Sequence, residues 1–189
     1  PVIGGVGLIK NLNLMMNKSF KEIDSIIMVI GNTLGHLDQS EFYREVLEIR
    51  DGPSPEINLF NEKNNGLMVQ NLISKKLVNS VHDISSGGML VALAEMCISG
   101  KIGAKIKTPN DKINFHEYLF AEDQSRYLIE IKEKNKDKVS NILKKNSIYF
   151  ETIGKTQKNF LNLNTNLSID VEELSKLHTS WFKDYFEKN

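Results

Sequence analysis

The chain has 189 residues, with 24 Lys+Arg balancing 24 Asp+Glu. That is enough for one compact core, and it leaves no net field to draw the chain onto nucleic acid or an anionic membrane. An apolar share of 40% is that of a globular domain. The longest apolar run, residues 89–94, is far too short to cross a bilayer, and no secretion leader is visible. A lone cysteine, Cys97, excludes a disulfide framework or a cysteine-based zinc cluster. The pattern is that of a soluble cytoplasmic protein.

The chain opens PVIGGVGLI. Glycines set among β-branched residues read as a strand or tight connection already under way. With no initiator Met, the expectation is a piece of a longer polypeptide. Residues 25–31 (SIIMVIG) predict a buried strand, followed by a loop over 32–37. Asp38 with Glu41 forms a candidate capping box for a helix through Phe42, Val46 and Leu47. DGPSP at 51–55 breaks the chain. A second helix is expected over 62–77, with Met68 and Leu72, and Val69, Ile73 and Leu77, on one apolar face.

Residues 80–84 read as a strand end. Ser85 or Ser86 is the expected cap of a helix over 87–98 that is apolar nearly all round, with Glu95 its only charge and Gly100 its stop. Residues 102–107 and 127–132 alternate as strands do, and 149–154 predict another. Val139, Ile142 and Leu143 mark a helix within 137–146. Leu174, Leu177, Trp181 and Tyr185 recur at helical spacing beside Phe182 and Phe186, which reads as core or interface packing and not a ligand box. Strands interleaved with helices, some joined too tightly for parallel crossovers, predict an α+β fold: a mixed sheet flanked by helices.

Three segments could carry chemistry. At 31–40 a strand, a glycine loop and a helix start would aim backbone N–H groups at an anion, with Thr33, Gly35 and Ser40 as candidates. The same arrangement also serves as a plain connection. At 82–88, Asp83 could hold Mg²⁺ beside a cradle formed by Gly87 and Gly88. Equally, Asp83 could cap the helix, His82 be a satisfied core residue, and the glycines allow close packing. At 120–127, Arg126 could clamp a phosphate and Gln124 read a base or amide, alongside Glu122 and Asp123. A solvated turn is the competing reading.

In this order and spacing, PVIGGVGLI, residues 31–43, HDISSGGMLVALAE at 82–95 and LFAEDQSRY at 119–127 resemble one family. It is the large (synthetase) subunit of phosphoribosylformylglycinamidine synthase, at its second C-terminal domain, within the aminoimidazole ribonucleotide synthetase superfamily. The resemblance covers most of the chain, thins after about Lys134, and returns at the Trp181-Phe182 helix. It implies one C-terminal domain, residues 1–189, of a multidomain ligase. That ligase amidates formylglycinamide ribonucleotide with glutamine-derived ammonia, using ATP and Mg²⁺. Its main nucleotide, metal and base residues would lie upstream of Pro1, so this piece would hold no catalytic residue and be inactive alone.

The resemblance further implies a cleft, catalytic or auxiliary, the latter able to hold structural ADP-Mg. The implied partners are the upstream domains, a glutaminase subunit or domain and a small accessory subunit, with no nucleic acid and no membrane. Thr33, Gly35, Ser40, Asp83, Gly87, Gly88, Glu122, Asp123, Gln124 and Arg126 would be ligand-facing or interface residues, with Asp83 the metal candidate. The chain departs from the family pattern at Asp38-Gln39, where a glycine is common, at Ser86 for Asp, and at Ala121 for Gly. A sibling synthetase's C-terminal domain, or a non-catalytic structural module, is the alternative.

Overall fold

A computed structural model describes residues 4–9, 11–108, 113–164 and 167–187. The elements run β1 (Ile26–Ile30), α1 (Glu41–Val46), α2 (Leu59–Ser74), β2 (Ser80–Asp83), α3 (Gly88–Gly100), β3 (Gly103–Ile106), α4 (Phe115–Phe120), β4 (Tyr127–Ile131), α5 (Lys136–Lys145), β5 (Phe150–Gln157), β6 (Phe160–Leu163), β7 (Leu167–Asp170) and α6 (Val171–Glu187). The strands form one sheet in the order β2-β4-β1-β5-β3-β6-β7. Its pairs are antiparallel except β3 with β6, so the sheet is mixed and helix-flanked as the sequence predicts.

β1 explains the layering. All five of its residues are buried, because helices cover the sheet on both faces. Alternation sends Ile27 and Val29 into a core with Met89, Leu93 and Met96 of α3, and Ile26, Met28 and Ile30 into a second core with Val69 and Leu72 of α2 and Val139 and Leu143 of α5. At roughly 25 cal/mol per Å² of apolar surface, two such cores supply the main drive for folding. Glu130 on β4 is fully buried, and its carboxylate accepts hydrogen bonds from the Lys21 and Glu22 N–H groups and from Ser80 Oγ, at 2.9–3.0 Å. It thereby pins the segment leading into β1 to the sheet.

Several local expectations are corrected. Asp38 and Glu41 do not form a capping box: Ser40 caps α1, its Oγ accepting from Tyr43 N–H, and Val46 and Leu47 stay exposed. α2 starts earlier than expected, on an Asn58 cap, and ends at Ser74, so buried Leu77 lies beyond it. Neither Ser85 nor Ser86 caps α3; Gly87 takes that position with φ 81° and no side-chain bond. The helix stops at Lys101 in the left-handed region, and Gly100 is small because a Cβ there would meet the Phe20 backbone.

The helix α4 and strands β6 and β7 are additions to the predicted set. Residues 4–9 form no regular element, and residues 1–3 of the opening stretch lie outside the described residues. Val171 and Leu174 anchor α6 on the α3 side of the core, while Trp181 and Phe182 are each 59% exposed and are not core residues. Among the described residues no helix is long and apolar enough to cross a membrane.

Candidate functional site

The sheet leaves a polar junction where β1 ends, α3 begins and the 121–126 segment enters β4. At its centre is Asp123, 4% exposed. Its Oδ2 accepts the N–H groups of Leu34 at 2.7 Å and Gly35 at 3.1 Å, and its Oδ1 accepts that of His36 at 3.2 Å. The glycine loop does converge its amides on an anion, and the anion is the chain's own carboxylate. Gly31, with φ +93°, allows the approach, since a side chain there would strike the Ser125 carbonyl.

Glu122 repeats the device. Its Oε1 accepts the Gly87 N–H at 2.8 Å and the Glu41 N–H at 2.7 Å, so one carboxylate meets the starts of α3 and α1. Gly88 is tight for packing: a Cβ would lie 2.6 Å from the carbonyl carbon of Phe120. Arg126 is 1% exposed. It donates from Nη1 to Thr33 Oγ1 at 3.1 Å, from Nε to the Asp123 carbonyl at 3.2 Å, and from Nη2 to the Ala121 carbonyl. Burial holds its guanidinium below the ordinary value, against the opposing pull of Asp123, Tyr118 and Glu122. An arginine still keeps its charge in such a place.

Thr33, Gly35, Ser40, Gly87, Gly88, Glu122, Asp123 and Arg126 are thus brought together, bonded to one another or to the backbone. In this arrangement the Arg126 guanidinium is internal, its bonds going to Thr33 and two backbone carbonyls, and the residue borders the smaller of two hollows. Gln124 is the exposed member, bordering two hollows. Asp83 borders the smaller hollow together with Gln124 and Arg126, its side chain 67% exposed and Oδ1 lying 3.2 Å from His82 Nδ1. His82 Nε2 is 2.6 Å from Glu95, which also takes Lys18 Nζ at 2.9 Å, so His82 is a satisfied linking residue between β2 and α3. Among the described residues no three His, Cys, Asp or Glu side chains gather as a metal site, and Asp83 lacks the co-ligands that a cation held by this chain alone would need.

The larger hollow is a cleft of about 550 Å³ between the 31–36 loop, the start of α2, Gln124 and the 146–149 turn. Asn32, Asn58, Asn61 and Asn64 line it, with Phe60 and Tyr149 contributing rings. Tyr149 donates to Glu151, and that bond, followed by burial, pushes its hydroxyl up to about 12, so it stays protonated. The reading from sequence passed over this asparagine face. Its signal is the spacing of Asn58, Asn61 and Asn65, which puts the α2 cap and two residues of the helix on one side. Asn65 also lines the cleft and is buried, its Nδ2 donating to the Ser125 carbonyl at 2.9 Å.

Residues 22–161 match the family described as AIR synthase related protein, C-terminal domain, and the chain belongs to it. It is 48% identical over 187 residues to the phosphoribosylformylglycinamidine synthase subunit PurL of Pelagibacter ubique, covering 99% of this chain and 26% of that protein. The subunit of the same name from Rhodopseudomonas palustris (strain HaA2) is 40% identical over 185 residues, covering 98% and 25%. The chain therefore spans about a quarter of the length of these relatives.

Among solved structures, T. maritima PurL complexed with FGAR superposes with a TM-score of 0.71 at 15% identity, over 87% of this chain and 30% of that one. T. maritima PurL complexed with ATP gives 0.68 at 16% identity, over 87% and 28%. Thiamine-monophosphate kinase from Stenotrophomonas maltophilia gives 0.52 at 11%, over 79% and 52%. These likenesses show the fold.

Proposed function

We propose that this chain serves as the C-terminal domain of a phosphoribosylformylglycinamidine synthase large subunit. That enzyme is a cytoplasmic ATP-dependent ligase converting formylglycinamide ribonucleotide to its amidine with glutamine-derived ammonia. The observation that carries the reading is the 48% identity maintained over 99% of the chain. The domain's part is to form one wall of a cleft closed by the rest of the polypeptide. A glutaminase and a small accessory subunit are partners of the whole, and not of this piece alone.

The residues present do not make an ATP–Mg²⁺ site by themselves. Both amide cradles hold Glu122 and Asp123, Arg126 is internal, and Asp83 has no gathered co-ligands among the described residues. The nucleotide and metal ligands, and any structural ADP-Mg, belong in this reading to the upstream domains, and the chain alone does not turn over.

The test is a chimera in which this chain replaces the matching quarter of the P. ubique relative. ADP release dependent on formylglycinamide ribonucleotide and ammonia, within about tenfold of the parent, is the expected result. A folded chimera with no such activity, or turnover by the chain alone, overturns the proposal.

A further inference from the structure

The cleft beside the glycine loop has an unusual charge balance for a protein matched to nucleotide-binding relatives. Its formally charged lining side chains are Glu56 and Asp123, and neither Lys nor Arg is among the described residues that border it. Arg126, the nearest cation in the sequence motif, is turned inward to Thr33 and two carbonyl oxygens. The backbone amides of residues 34–36, which would otherwise attract a phosphate, are taken by Asp123. An incoming phosphate would lose its hydration, find the amides of residues 34–36 already taken and neither Lys nor Arg, and face two carboxylates; His36, which also borders the cleft, has its Nε2 3.0 Å from the Pro53 carbonyl.

What the cleft does offer is neutral. Asn61 and Asn64 on α2, with Asn32 on the loop and Asn146 beyond α5, bring paired donors and acceptors. Phe60 is 75% exposed and Tyr149 48% exposed, so both have ring area available to a flat ligand. The volume of about 550 Å³ suits a small organic molecule.

We infer that this cleft takes the uncharged heterocycle-and-sugar portion of a ligand, a nucleoside in chemical class, and rejects phosphate, with Asp123 and Glu56 as the residues that set that preference. Asp123 acts as a built-in occupant of the anion cradle and holds the loop in shape whether or not a ligand is present. The inference rests on the reading of this cleft as a ligand-facing wall.

The experiment is a titration of the isotope-labelled 189-residue chain, followed by amide resonances, with adenosine, adenosine monophosphate and inorganic phosphate at fixed ionic strength. Adenosine should shift the side-chain amides of Asn61 and Asn64 and the Tyr149 ring. The monophosphate should bind about tenfold more weakly, and inorganic phosphate should leave the amides of residues 34–36 unmoved. In Glu56→Gln, an exposed position with no fold role, the gap between nucleoside and monophosphate should narrow severalfold. In Asp123→Ala the vacated cradle should gain phosphate-dependent shifts at residues 34–36. Should that variant fail to fold, the wild-type and Glu56→Gln titrations decide the matter.

Phosphate binding to the wild-type chain at residues 34–36, a monophosphate as tight as the nucleoside, or no response of the cleft to adenosine overturns the inference. An active chimera alongside such a result leaves the ligase reading standing and removes only the cleft's assignment. An inactive chimera with a nucleoside-responsive cleft does the reverse.

Discussion

Gly87 donates its backbone N–H to the Glu122 carboxylate at 2.8 Å, across 35 residues of sequence, and the same oxygen takes the Glu41 N–H at 2.7 Å. A left-handed Gly87 has no side chain with which to cap α3, so the cap comes from a distant loop. Two helix starts therefore depend on one side chain.

Glu122→Ala should consequently destabilise the fold by about 2–3 kcal/mol, as a partly buried charged acceptor with two donors is removed. Glu122→Gln, which keeps an acceptor and loses the charge, should cost about half as much. Urea unfolding checks both; the midpoint should fall with the slope unchanged.

Gly88 and Gly66 make opposite predictions for one substitution. Gly88 has φ +70° and would place a Cβ 2.6 Å from the Phe120 carbonyl carbon, backbone that cannot step aside. Gly88→Ala should cost about 3 kcal/mol or more. Gly66 sits inside α2, where the nearest atom to a Cβ is Tyr127 Oη at 3.4 Å, an ordinary contact. Gly66→Ala should raise stability by about 0.5–1 kcal/mol, since glycine loses the more backbone freedom in a helix. Thermal melts of the pair give the signs directly.

These contrasts mark what the sequence makes legible. β1 and α3 are plain because unbroken apolar stretches can only be buried on both sides. α4 is six residues long and is held by the Asn114–Glu117 capping box, a signal present in the sequence but short beside the apolar runs. β6 and β7 are four-residue, polar-interrupted strands, β6 paired with the distant β3 and β7 closing the sheet edge, so local pattern gives them little signal. The Glu122-Asp123-Gln124 cluster is visible as polar, yet its direction is not. Asp123 meets Leu34 across 89 residues, and no local pattern separates a carboxylate aimed at backbone from one aimed at a ligand. The asparagine face of the cleft is likewise dispersed over α2 and the 146–149 turn, and only the fold assembles it.

Glu95 makes the fold sensitive to acid. Burial pushes its carboxyl up, but hydrogen bonds from Lys18 and His82 outweigh that, and it titrates below its ordinary 4.5. A depressed folded value contributes stability that is present above pH 4.5 and lost as pH falls through the folded value. Wild type and Glu95→Gln should therefore differ most above pH 4.5 and converge as pH falls through the folded value. Parallel curves all the way down would show that the Lys18–Glu95–His82 linkage carries no such stability.

Cys97 gives a probe of the core that needs no engineering. It lies on α3 with 0% exposure, among Leu93, Met96 and Ile106 of one core cluster. Burial pushes its thiol from 9.0 up to about 12, so the folded chain holds almost no thiolate at pH 8. Reaction with a disulfide reagent should then wait for opening of the core, and the urea dependence of labelling should track the loss of helical circular dichroism. Gly88→Ala should speed labelling and Gly66→Ala slow it, in proportion to their stabilities when reclosing is fast. At high pH the same burial acts on stability itself. A raised folded value means the contribution is complete below pH 9.0 and is lost as pH rises toward about 12, a decline that Cys97→Ala should remove. Prompt labelling of the native chain, at a rate indifferent to either glycine substitution, would mean that α3 opens locally at Cys97 without the rest of the core.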